Sequence, residues 1–199
     1  MRANNGEPRL RSVRILVPLL ALVLATAAAS PTFRYQLDGT QSEVNARVAF
    51  MGLASKTAHF PRMSGAIRLT PGRLDTIDMD VELDARALTA GDKSTTETLK
   101  GKDFFDVVNH PVVRFEGQRM TMTGPVTARL DGQITARGVT RPATLTITFR
   151  QDPAKATGRD PILLSARTTI NRQDFGMKAY SLVVGKKVTI TINARMVPG

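Results

Sequence analysis

After Ser30 the apolar residues of this chain recur with a period of two rather than 3.6. Val44, Ala46, Val48 and Phe50 alternate with Asn45, Arg47 and Ala49, and Ile77, Met79, Val81 and Leu83 alternate with Asp78, Asp80 and Glu82. The same alternation returns at 126–130, 145–149, 164–170 and 188–192, in runs rich in β-branched residues. Each run has one dry face and one wet face, and the dry face has to be buried. Turn signals separate the runs: Asp38-Gly39, Pro71-Gly72, Gly124-Pro125, Asp131-Gly132, Asp152-Pro153, Gly158 and Gly185. About eight strands joined mostly by short connections predict an all-β antiparallel meander. A closed barrel and a two-sheet sandwich would both bury the dry face and manage the edges, and periodicity does not separate them.

Residues 85–111 break the pattern. Ser94 to Glu97 has the form of a capping box opening a short helix that ends near Gly101. A crossover this long in a compact β protein is more often functional than filler. Near its end Phe104 and Phe105 are adjacent rings in a polar segment, so at least one points inward, either to close the barrel end or to touch a ligand.

The first 29 residues read as an address. Arg2, Arg9, Arg11 and Arg14 form a basic start, an apolar stretch follows from Ile15, and Ala27-Ala28-Ala29 supplies small residues before Ser30. The apolar run is shorter than the ~20 residues that span a bilayer, and Pro18 interrupts it. The expectation is a signal peptide over 1–29, cleaved after Ala29, and a mature domain over 30–199 delivered to the periplasm; retention as an N-terminal anchor is the alternative.

Charge and composition exclude more than they select. The four Arg and one Glu of the leader take the formal charge from +11 for the whole chain to +8 for the remainder. The basic residues are scattered and interleaved with Asp, and with no Trp and two Tyr the chain lacks the aromatic platforms that stack bases, so nucleic acid is not expected as a partner. Attraction to anionic lipid headgroups is the functional reading that the charge leaves open. The chain has no Cys, which removes disulfides, thiolate metal sites and thiol nucleophiles. Its two His, His59 and His110, stand in no metal-ligand spacing, no nucleophile elbow or phosphate loop is present, and the pairs Asp78/Asp80 and Asp103/Asp106 read as solvated charges. No catalytic residue, metal or cofactor is expected.

Several short motifs, weak singly, are ordered and spaced along Phe33 to Met196 in a way that resembles the YceI family of polyisoprenoid-binding periplasmic proteins. They are Leu37-Asp38 ahead of Ser42-Glu43-Val44, the run 64–67 (SGAI), the run 99–106 (LKGKDFFD), Pro111 with Phe115, the run 138–142 (GVTRP), and the run 170–176 (INRQDFG) followed by Val184-Gly185. The resemblance implies an eight-stranded antiparallel lipocalin-like β-barrel holding an isoprenoid or other fatty chain, such as a quinone tail, in an apolar tunnel. It implies that Pro142 fixes the backbone entering a strand, that Gly176 frees the chain to turn, and that Arg172 and Asp174 brace that corner by pairing. Where family members commonly carry polar, histidine-bearing residues at the ligand mouth, this chain has Gln41-Ser42, Phe50, Thr95 and Thr98. Recognition of the tail rather than the head is therefore the expectation. The residues expected to wall the tunnel are Phe50, Met79, Val81, Phe104, Phe105, Phe115, Ile147, Phe149, Phe175 and Met177. Transient membrane contact and a homodimer are compatible with this reading. The alternatives are a periplasmic stress-response factor, or an enzyme acting on a hydrophobic small molecule held in the barrel.

Overall fold

The computed structural model describes residues 31–199, so the leader expected over 1–29 lies outside them. The described chain forms β1 (Phe33–Leu37), β2 (Glu43–Phe50), β3 (Ala54–His59), β4 (Met63–Leu69), β5 (Asp78–Asp84), β6 (Thr89–Ala90), α1 (Lys93–Lys100), β7 (Val112–Met122), β8 (Thr127–Ala136), β9 (Val139–Phe149), β10 (Ile162–Asn171) and β11 (Val184–Pro198). These eleven segments make eight strands of a closed antiparallel barrel. β1 and β2 lie end to end along one edge of β11, pairing with residues 196–198 and 184–193 respectively. Likewise β3 pairs with β2 while β4 pairs with β1, and β6 pairs with β3 while β5 pairs with β4. Each of the first three strands is thus one strand broken in the middle, and the pairing of β1 with β11 closes the ring, with an unpaired stretch where β9 and β10 part.

Side chains repair the first break. Asp38 N–H donates to the Arg195 carbonyl at 2.9 Å, Arg195 N–H donates to Ser42 Oγ at 3.0 Å, and the Arg195 guanidinium meets the Asp38 carboxylate at 2.9 Å. The ladder of β11 therefore continues through the bend without an orphaned backbone group there.

One end of the barrel is filled. Tyr35, Leu69, Ile77, Met120, Leu130, Ile147, Phe149 and Met196 pack into a single buried cluster near the loops at 70–77, 123–126 and 150–161. Gly132 belongs to this packing and not to a turn: it sits inside β8 opposite Gly117 of β7. A Cβ there would lie 2.2 Å from the Glu116 carbonyl oxygen and 2.9 Å from Phe115 Cζ, so only glycine lets the Phe115 ring fold over the strand.

The other end carries the hairpins at 51–53 and 137–138, the crossover 85–111 and the loop after β10. Arg137 and Gly138 both have positive φ (50° and 69°) and join β8 to β9 as a two-residue loop, the backbone of a type I′ turn. Arg137 is held in that conformation by donating to the carbonyls of Gly176 (2.6 Å) and Lys102 (2.7 Å), which ties three loops together. The helix in the crossover begins two residues before the expected one. Its cap is Asp92, whose carboxylate accepts from Thr95 N–H at 2.7 Å. An acid at this position satisfies an orphan donor and the helix dipole together, which a Ser94 cap would not. Pro142 stands within β9 rather than at its entrance. It is tolerated because β9 pairs with β10 only over residues 146–149, leaving that flank of Pro142 without a ladder.

Candidate functional site

The filled end and the looped end leave two apolar spaces inside the barrel. A mouth cavity of about 340 Å³ is walled by Ala46, Val48 and Phe50 of β2, Val184 and Val188 of β11, Leu99 of α1, and Phe104, Phe105 and Met177 of the loops. Deeper, an inner cavity of about 110 Å³ is walled by Met79, Val81, Phe115, Leu130, Ile147, Leu164, Ile190 and neighbouring aliphatic residues. The first volume falls at the lower end of the ~300–1,000 Å³ of ordinary ligand pockets, and the second below it. Phe105 packs toward both spaces. Its ring lines the mouth and packs edge-on against Phe60 at 5.7 Å, within clusters that include Val44 and Ile134, both of which wall the inner cavity.

Eight of the ten residues expected along a tunnel face one of these two spaces. Phe50, Phe104, Phe105 and Met177 line the mouth; Met79, Val81, Phe115 and Ile147 line the inner cavity; Phe149 lines only a small void at the filled end. Phe175 is elsewhere. It is 2% exposed and packs with Ile134, Ala136, Val139, Ala143 and Ile170, plugging the flank where β9 and β10 part.

The mouth also has a polar collar, in which Thr95 and Thr98, placed at the mouth by the resemblance, are joined by residues that the sequence does not place there. Ser94, Thr95 and Thr98 present one face of α1, and Lys56, Tyr180 and Arg172 complete the ring. Lys56 Nζ reaches Asp92 at 3.1 Å and Thr95 Oγ1 at 3.3 Å while lying 5.6 Å from the Phe50 ring, so it pins α1 across the opening. The backbone and hydroxyl bonds from Thr95, with the nearby Lys56, hold the Asp92 carboxyl down to about 2. Arg172 is 3% exposed. It does not pair with Asp174, which accepts from Asn171 instead at 2.9 Å. Its guanidinium donates to the carbonyls of Gly185 (2.9 Å), Val184 (3.0 Å) and Met177, and lies 5.8 Å from the Phe104 ring. Burial pulls its pKa below the usual guanidinium value. All three acceptors are neutral, so this cation is matched by carbonyl dipoles and an aromatic face and not by a carboxylate. Gly176, left-handed at φ 81°, makes the turn that brings Met177 back to Arg172.

Four other polar residues singled out in the sequence line neither space and are engaged by neighbours. Asp78 pairs with Arg68 and Asp80 binds Arg114 in a two-pronged contact at 2.6 and 2.8 Å. His59 Nδ1 meets Asn45 Oδ1 at 2.6 Å, and the His110 ring covers Gly138. Among the described residues no three of His, Asp and Glu gather as a metal site would need.

The comparisons with known proteins agree with this architecture. The family model for the YceI-like domain matches residues 35–196. A UPF0312 protein of Pseudomonas putida (strain GB-1) is 25% identical over 158 residues, covering 79% of this chain and 82% of the relative. Among solved structures, BcnA of Burkholderia cenocepacia superposes with a TM-score of 0.70 at 20% identity, over 80% of this chain and 98% of that one. A polyisoprenoid binding domain from Saccharophagus degradans, described as implicated in plant cell wall breakdown, superposes with a TM-score of 0.67 at 14% identity, over 84% and 99%. At these identities the structures share the fold.

Proposed function

Because the chain belongs to the YceI-like domain family, we propose that it is a periplasmic carrier that takes one long apolar chain, isoprenoid or fatty, through the mouth and into the barrel. The observation that carries this reading is the pair of predominantly apolar cavities inside one barrel, walled by Phe50 and Val48 at the mouth and by Met79 and Ile147 deeper in. The resemblance in fold to a domain described as polyisoprenoid binding supports the isoprenoid class, and a quinone tail is one member of it. The tail enters first. The polar end of the ligand stays at the collar formed by Thr95, Thr98, Lys56 and Arg172, so the chain has more to offer a head group than its sequence suggests. Export by a cleaved leader and action without catalysis complete the proposal.

Energetics favour exchange over trapping. Burying one CH₂ from water is worth about 0.8 kcal/mol, hence roughly 3–4 kcal/mol for a five-carbon isoprene unit before ordering costs. A bilayer offers the chain a similar gain, so transfer between membrane and barrel lies near balance, as a carrier requires.

Displacement of a fluorescent fatty chain by isoprenoid alcohols of increasing length tests the reading. Affinity is expected to rise with each unit until the two spaces are filled, and Met79→Asp, which puts a carboxylate in the inner cavity, is expected to weaken binding of the longer alcohols most. Displacement independent of length, or absent, refutes it.

A further inference from the structure

Two loop tips beside the mouth expose apolar side chains that no other part of the barrel covers. Leu53, in the hairpin between β2 and β3, and Leu182, in the loop before β11, are each 102% exposed. Met51 (67%) and Tyr180 (57%) flank them. The tips form one surface: Met51 N–H donates to the Val183 carbonyl at 2.7 Å, and Phe50 pairs with Val184 directly below. Single exposed apolar residues are ordinary on a soluble protein, whereas a cluster on adjoining tips marks a contact surface. Met51 and Tyr180 both hold positive φ, 51° and 55°, a conformation that costs energy in a side-chain-bearing residue and is kept where the surroundings enforce it.

Charge identifies the partner. Segments 47–57 and 176–188, which carry the tips, contain Arg47, Lys56, Lys178, Lys186 and Lys187 and no Asp or Glu. Arg47, Lys178, Lys186 and Lys187 are exposed. Apolar tips carried on segments with exposed basic and no acidic side chains match a bilayer surface, where the leucines reach the acyl boundary and the cationic groups lie among anionic headgroups. A protein partner would need acidic groups placed to match, and a second copy of this surface would set basic side chains against each other.

We propose that Leu53, Leu182, Met51 and Tyr180 form a docking surface for an anionic lipid membrane, and that docking sets the barrel mouth against the bilayer. Phe50 and Val183 line the mouth cavity beside the patch, and Tyr180 belongs to both, so the patch leads a chain leaving the membrane onto the apolar side of the mouth. The inference rests on the carrier reading for its purpose only, since adsorption to a membrane needs no ligand in the barrel.

Flotation of the purified protein with sealed vesicles tests it, using phosphatidylcholine alone and with about one-third phosphatidylglycerol, at low and at high salt. The expected result is at least about tenfold stronger binding to the anionic vesicles, weakened by salt, and about tenfold loss in the double variant Leu53→Ser/Leu182→Ser. Neither leucine lines a cavity, so the variant is expected to fold and to bind the fluorescent chain normally; that separates failure of docking from failure of carriage. Equal flotation of wild type and variant, or none by wild type, overturns the proposal. So does a wild-type dimer in sedimentation that the double variant converts to monomer, which would make the patch a self-association surface.

Discussion

Phe105 is the residue expected to set how much chain the barrel admits. Its half-buried ring lines the mouth, with Phe60 edge-on beside it, and packs with clusters whose Val44 and Ile134 wall the inner cavity. Phe105→Ala is expected to join the two spaces, so that chains too long for the mouth alone bind more tightly in the displacement assay. The cost in stability is expected to stay below the ~3–5 kcal/mol of a fully buried Phe→Ala change. Unaltered length dependence would show that the ring is no partition. Arg172 does the opposite work, holding the mouth together through carbonyls on both arms of the loop before β11. Arg172→Met leaves those acceptors short of a donor and is expected to cost about 1–3 kcal/mol, read as a lower urea midpoint at unchanged slope. An unshifted midpoint contradicts the clamp. The sequence shows Phe105 plainly, as an apolar residue in a polar run. It conceals Arg172, because pairing with Asp174 was the reading nearest in sequence and the actual partners lie 5 and 12–13 residues away.

At the scale of elements, α1 lies across the mouth, held by one cap and one cation. Asp92 closes the helix and anchors Lys56, so a single carboxylate links the two. Its folded-state value of about 2 lies under the ~3.9 of an unfolded aspartate. The contribution is therefore fully present above about pH 4 and lost as pH falls toward 2. Release of the fluorescent chain is expected to quicken over that window in wild type. Lys56→Met, which frees the helix from β3, is expected to quicken it already at neutral pH. Release rates unaffected by both changes would mean that α1 gates nothing. Element boundaries were legible where alternation is strong, as in β2, β5, β9 and β11. They were misread where tertiary packing overrides local signals: Asp131-Gly132 has turn chemistry yet lies in a strand because Phe115 needs the space, and Pro142 sits mid-strand because its flank is open.

The described residues form a closed barrel densely packed at one end and hollow, largely apolar and collared at the other. Periodicity dictated the inward face, and closure followed only from the resemblance, since a sandwich buries the same face. What no local pattern carries is the polar collar, assembled from β3, α1 and the loop after β10. The central claim is that this interior holds a lipid chain. Native mass spectrometry of protein purified gently from a cell with its membranes measures it most directly. A population heavier than the polypeptide by the mass of one lipid, lost on mild activation and restored by incubation with an isoprenoid alcohol, is the predicted result. A single species at the polypeptide mass that takes up no chain when one is offered would contradict the account.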